Sequence, residues 1–83
     1  MKFTYKTNGV CSRSIEIEIE NDVIESVSFY GGCNGNLKGI AELVKGMNID
    51  DVIERLEDIK CGFKNTSCPA QLAEALKEYK DGQ

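Results

Sequence analysis

Isoleucine and glutamate alternate without a break along SIEIEIE, residues 14–20. Ile15, Ile17 and Ile19 fall on one parity, Glu16, Glu18 and Glu20 on the other. A period of two sends the two sets to opposite faces of a pleated strand, so the segment predicts a half-buried strand with one apolar face. The same period precedes it, where Phe3 and Tyr5 alternate with Lys2, Thr4 and Lys6. Asn8-Gly9 then carries the strongest signal for a two-residue hairpin turn, and the chain returns through VCSRSIEIEIE. Asn21-Asp22 predicts a second turn. Val27 and Phe29, alternating with Ser26, Ser28 and Tyr30, predict a third strand. The step from Ile24 to Val27 breaks the alternation, which a bulge near Glu25 or a late strand start accommodates. The pattern so far is an antiparallel three-stranded meander with one face covered.

Beyond GGCNGN at 31–36, a loop by composition, the period changes. Leu37, Ile40, Leu43, Val44 and Met47 recur at helical spacing, with Gly46 placed to end the helix. Asn48 is suited to cap a second helix, with Asp50 and Asp51 at its positive dipole end. The apolar stripe of that helix is Ile49, Val52, Ile53, Leu56 and Ile59. KCGFKNTSC reads as another loop. A last helix starts near Pro69 and presents Leu72, Ala73, Ala75, Leu76 and Tyr79. The order β-β-β-α-α-α defines an α+β domain with its helices on one sheet face.

Composition narrows the function classes. The 83 residues make one domain, 1–83, small enough that a metal or disulfide staple is a reasonable expectation. The net charge of −4, with both signs interspersed, argues against nucleic acid and anionic membrane surfaces as partners. No apolar run is long enough to span a bilayer, and MKFTYKTNGV lacks the apolar core of a signal peptide. These features predict a cytoplasmic protein. In a reducing compartment its four cysteines favour metal binding or thiol chemistry over structural disulfides. The chain has no histidine, which excludes Ser–His and Cys–His catalytic pairs and zinc sites with imidazole ligands. No nucleophile–base pair points to a hydrolase or transferase. The glutamate row reads as a solvated face, and Arg13 as a surface charge. Gly31, Gly32, Gly35 and Gly39 form no phosphate-binding pattern.

The cysteines sit at turns and element ends. In NTSCPAQLAEAL, Cys68 immediately precedes the only proline. Proline favours the first helical position, so Pro69 is expected to open the helix and Cys68 to cap it. A cap lies beside unpaired backbone N–H groups at the positive dipole end, where thiolate is favoured over thiol. Cys33 occupies the glycine-rich turn before the first helix, Cys61 follows the second, and Cys11 lies just past the first hairpin. Taken alone, Cys11 reads as a small buried hydrophobe. The spacing C-x21-C-x27-C-x6-C has no C-x2-C knuckle of the zinc-ribbon kind, so a shared site is not written in the spacing.

GGCNGNLKGIAELVKGM followed by CGFKNTSCPAQLAEAL resembles the small four-cysteine TSCPD-domain family, whose domain also occurs at the C-terminus of cobalamin-dependent ribonucleotide reductases. The resemblance runs from Gly9 to Leu76. The namesake motif falls on Thr66, Ser67, Cys68, Pro69 and Ala70, the last standing where the family usually has aspartate. Eighty-three residues cannot hold that enzyme's substrate barrel and cobalamin site, so the resemblance implies an accessory or regulatory role in ribonucleotide reduction. More distantly, the order of strands, cysteines and helices is similar to iron–sulfur scaffold proteins of the IscU and NifU N-terminal type. Their three ligand positions match Cys11, Cys33 and Cys68. Arg13 stands where the scaffolds have an aspartate that helps make the cluster labile, and Ser67 where they have a histidine. These departures bear against cluster transfer and leave Cys61 as a candidate fourth ligand.

Three functions follow as expectations. The first is a metal-binding module in which Cys11, Cys33, Cys61 and Cys68 hold zinc or an iron–sulfur cluster, both of which take four thiolates. The second is a thiol redox module, with Cys68 attacking and Cys61 resolving. The third is a protein-partner domain without chemistry of its own. Three short strands leave sheet edges that a homodimer could cover.

Overall fold

The computed structural model describes residues 1–7, 13–31, 34–59 and 67–82. Three strands, β1 (Lys2–Lys6), β2 (Ser14–Glu20) and β3 (Val23–Tyr30), form an antiparallel sheet in the order β1-β2-β3. Three helices follow: α1 (Asn34–Val44), α2 (Ile49–Leu56) and α3 (Cys68–Asp81). The architecture is α+β in the expected order.

The register explains where the core lies. Ile15, Ile17 and Ile19 face Tyr5 and Phe3 on one side, and Phe29, Val27 and Ile24 on the other. All three isoleucines are essentially inaccessible and join Val44, Ile49, Val52, Leu72, Ala75 and Leu76 in one cluster. The glutamates of β2 stay on the open face, where Lys2 lies 3.5 Å from Glu16.

The first connection departs from expectation. A two-residue turn at Asn8-Gly9 would pair Thr7 with Val10 and so set Phe3 opposite Ser14. Instead Lys6 pairs with Ser14 and the Thr7 N–H donates to the Arg13 carbonyl at 3.1 Å, so five residues separate the paired ends. The reason is parity: directly opposed residues share a face. The two-residue turn would set Lys2 against Ile15, putting the lysines of β1 on the apolar face of β2, whereas the observed register sets Phe3 on Ile17 and Tyr5 on Ile15. The dipeptide itself lies outside the described residues.

The second turn is as expected. Asn21 and Asp22 both adopt positive φ, 53° and 62°, which suits the twist of a two-residue hairpin. The broken alternation is a bulge: Glu18 pairs with Ser26 and Ile19 with Ile24, leaving Glu25 as the extra residue.

Helix α1 starts at Asn34, three residues before the first apolar position, so the loop predicted over 31–36 is shorter than its composition suggests. Leu43 points outward at 77% exposure, while Leu37 and Val44 are buried. Gly46 follows α1 at φ +84°, a conformation that ends a helix with little strain only for glycine. The link to α2 then pairs with the start of β3. Gly46 N–H donates to the Ile24 carbonyl at 2.8 Å, Ile24 N–H to Met47 at 2.9 Å and Ile49 N–H to Asp22 at 2.9 Å. This linkage, invisible in the hydrophobic pattern, ties the helical layer to the sheet.

Asn48 caps α2 as expected, its Oδ1 accepting from the Asp50 N–H at 2.9 Å. The helix stops at Leu56, so Ile59 lies beyond it and is 41% exposed. Ion pairs join α2 to α3 through Lys77 and Glu57, 2.8 Å apart, and through Lys80 and Asp50. The hydrogen bond to Glu57 holds Lys77 above the ordinary lysine value, and that to Asp50 does the same for Lys80. Among the described residues no helix is long and apolar enough to cross a membrane.

Candidate functional site

The first turn of α3 is built differently from the expectation. Ser67, not Cys68, is the cap: its backbone is extended and its Oγ accepts from the Ala70 N–H at 3.1 Å. Cys68 and Pro69 are therefore the first two helical residues. A hydroxyl is the better acceptor for an exposed helix N–H, which is why serine takes the cap and moves cysteine one place inward. Cys68 is 6% exposed and Ser67 4%. The same Ser67 hydroxyl donates to the Ile59 carbonyl at 2.6 Å, so the chain entering and leaving residues 60–66 is tied together.

Helix α3 runs antiparallel to β1. Phe3 stacks on Tyr79 with centroids 5.6 Å apart and planes 7° apart. Tyr5, two residues further along the strand, feels Glu74 and Glu78, on the N-terminal side of Tyr79. Burial is the main cause that raises the Tyr5 pKa, the two carboxylates adding to it. Eleven residues of helix from Tyr79 back to Cys68 cover about 16 Å at ~1.5 Å each. Four residues of strand from Phe3 to Thr7 cover about 13 Å at ~3.3 Å each. The first turn of α3, with Cys68, therefore lies toward the β1–β2 loop end of the sheet. Thr7, which follows β1, Ser67, which caps α3, and Gln71, in its first turn, are the buried polar residues among those described.

The stem of the next connection is there too. Lys6, Ser14 and Tyr30 form one row across the sheet. The Arg13 N–H donates to the Tyr30 carbonyl at 2.7 Å. Gly31, at φ +78°, approaches Arg13 so closely that an added Cβ would lie 3.2 Å from the Arg13 Cγ. Three residues after Gly31, the chain enters α1 at Asn34.

Of the four predicted cysteines, then, the structure describes Cys68. Cys11, Cys33 and Cys61 lie outside the described residues, each within four residues of a described stem at this end: Thr7 and Arg13, Gly31 and Asn34, Ile59 and Ser67. Among the described residues no group of three or more histidine, cysteine, aspartate or glutamate side chains could hold a metal ion. Elsewhere, a groove of about 530 Å³ between β3 and α1 has Lys38 and Glu42 as its charged lining residues. Sequence reasoning missed Ser67; the serine three residues before Ala70 at a helix start was the available signal.

Fold and stem geometry define a small α+β domain whose cysteine-bearing connections leave from one end of a three-stranded sheet. The TSCPD domain family model matches residues 3–80, and the chain belongs to that family. Among curated proteins and among solved structures no match is found.

Proposed function

We propose that this TSCPD domain is a metal-binding module in which Cys11, Cys33, Cys61 and Cys68 supply four thiolates to zinc or an iron–sulfur cluster. The observation that carries the reading is the common end of the domain shared by buried Cys68 and the three stems of the other cysteine-bearing segments. The donor chemistry fits. Thiolates are soft ligands, and the first turn of a helix favours negative charge. In a domain with so small a core, a closed four-sulfur site adds folding free energy directly, because the site does not exist in the unfolded chain. Zinc there would be structural; a cluster would supply one-electron chemistry. The setting that the family resemblance implies is an accessory role beside ribonucleotide reduction or cluster handling.

Elemental analysis of protein purified without oxygen or added metal tests the reading. About one zinc per chain, or matching iron and sulfide, supports it and names the metal. A metal-free chain with four titratable thiols overturns it.

One observation favours a second reading, thiol exchange between Cys61 and Cys68. The Ser67–Ile59 hydrogen bond holds the two ends of the intervening loop together. Cys68 would attack a partner disulfide, and Cys61 would then displace the reduced partner as the intramolecular disulfide forms. At 6% exposure Cys68 is poorly placed to meet a bulky disulfide, which favours the ligand role.

A further inference from the structure

Antiparallel pairing turns alternate backbone groups of a strand toward its neighbour and the others away. Along β1 the odd positions face β2. Met1 and Ile19 exchange two hydrogen bonds of 2.8 Å, and the Thr7 N–H donates to the Arg13 carbonyl at 3.1 Å. The N–H and C=O groups of Lys2, Thr4 and Lys6 therefore point away from β2, and no described residue pairs with them. The outer side of β3 differs, since Ile24 there bonds Gly46 and Met47. Beside the open edge of β1 runs a groove of about 390 Å³ against α3. Phe3, Tyr5, Ala75 and Tyr79 wall it, with Glu78 as its charged side chain. Thr4 lines it too, although its side chain belongs to the other face, so the groove follows the strand edge itself.

We propose that the β1 edge takes a fourth strand from a partner protein, an extended segment that alternates apolar and acidic residues. Main-chain bonds to Lys2, Thr4 and Lys6 hold the segment, and side chains select it. Its apolar residues enter the groove beside Phe3 and Tyr5. Its acidic residues stand on the open face beside Lys2 and Lys6. Lys6 lies opposite Ser14 and has no acidic partner among the described residues. The inner side of β1 already shows this selection in β2, where Ile17 and Ile15 lie against Phe3 and Tyr5, and Glu18 against Lys2. A second copy of β1 fits poorly, because an antiparallel pair centred on Thr4 sets each Lys2 against the other copy's Lys6, like charges directly opposed. The inference does not rest on the metal-binding reading.

The test is a fluorescein-labelled peptide of sequence SIEIEIE, copied from β2, titrated with the full chain and followed by fluorescence anisotropy. SIKIKIK is the charge-reversed control. The wild type is expected to bind SIEIEIE about tenfold more tightly than SIKIKIK. Lys6→Glu is expected to bind SIEIEIE about fivefold more weakly than the wild type does, and SIKIKIK more tightly. Thr4→Pro removes an outward N–H and leaves the β1–β2 ladder its bonds, a place where an edge strand tolerates proline. It is expected to keep the wild-type circular dichroism spectrum and to bind SIEIEIE about tenfold more weakly. No binding of SIEIEIE by the wild type, or equal affinity for the two peptides, overturns the inference. So does undiminished binding of SIEIEIE by Thr4→Pro, which would put the peptide elsewhere on the chain. Self-association of the wild type that Thr4→Pro abolishes would assign the edge to a second copy and overturn it too. If Thr4→Pro loses the fold, Lys6→Glu decides, and an unchanged order of the two peptides with unchanged affinities overturns the inference.

Discussion

Replacing Ile17 by alanine probes the register at its centre. Ile17 is fully buried, with Phe3 opposite it on β1 and Val27 on β3. The change removes three carbons, and at ~0.8 kcal/mol per buried CH₂ the lost transfer free energy is about 2.4 kcal/mol. The neighbours are fixed by two strand ladders and cannot close the gap, so a cavity contribution brings the cost to about 3–4 kcal/mol. A chain of this length has roughly 4–12 kcal/mol of stability, so the change removes between about a quarter and nearly all of it. The variant's melting temperature is expected to fall by about 4–8 °C per kcal/mol. Glu18→Ala, one residue on and facing the open side, is expected to change stability by less than about 0.5 kcal/mol. Ile17→Val is expected to fall between them, at about 0.5–1.5 kcal/mol. Urea denaturation followed by circular dichroism, with chelator present throughout, measures all three. Equal losses for Ile17→Ala and Glu18→Ala would refute the register, because a one-residue slip exchanges the two faces of β2.

Two glycines are expected to respond with opposite sign in the same assay. Gly39→Ala, in the exposed middle of α1 with open space at its Cβ, is expected to stabilise by about 0.5–1 kcal/mol. Gly46→Ala also meets no atom, but φ +84° makes it destabilising by about 1–2 kcal/mol. Asn48→Ala, deprived of the Oδ1 bond to Asp50 N–H, is expected to cost about 1 kcal/mol in urea unfolding. Alkaline pH acts through Tyr5, Lys77 and Lys80, all held above their ordinary values of 10.0 and 10.5. Each binds its proton more tightly in the folded chain, so their contribution is complete below those ordinary values and lost as pH rises past them. The urea midpoint is therefore expected to fall above about pH 10, and a midpoint that rises there contradicts the sign.

Much of the candidate site was legible as residue types and little of it as geometry. Cys68 beside Pro69 marks a helix start, yet the cap lies one residue earlier than the proline implies, because the Ser67 hydroxyl is a better acceptor for the Ala70 N–H than a thiol. The donor half of Ser67 could not be read at all. Its partner is the carbonyl of Ile59, and every residue has a carbonyl.

The elements themselves were determined locally. Periods of two and 3.6 depend on a residue's own backbone, so the faces of β2, the bulge at Glu25 and the stripes of α2 and α3 are written in the chain. Register and relative placement were decided only by tertiary structure, because they depend on what lies opposite. Asn8-Gly9 favours one turn wherever it occurs, but burying Ile15 and Ile17 against Tyr5 and Phe3 demands a different parity, and the larger burial wins. The pairing of Gly46, Met47 and Ile49 with the start of β3 likewise answers to backbone groups that need partners, not to side-chain pattern. The antiparallel run of α3 along β1 is a packing outcome of the same kind. It directs the first turn of α3, with Cys68, toward the end of the sheet where the β1–β2 and β3–α1 connections begin; the places of the cysteines at turns and element ends suggest such a common end, but the C-x21-C-x27-C-x6-C spacing does not contain it.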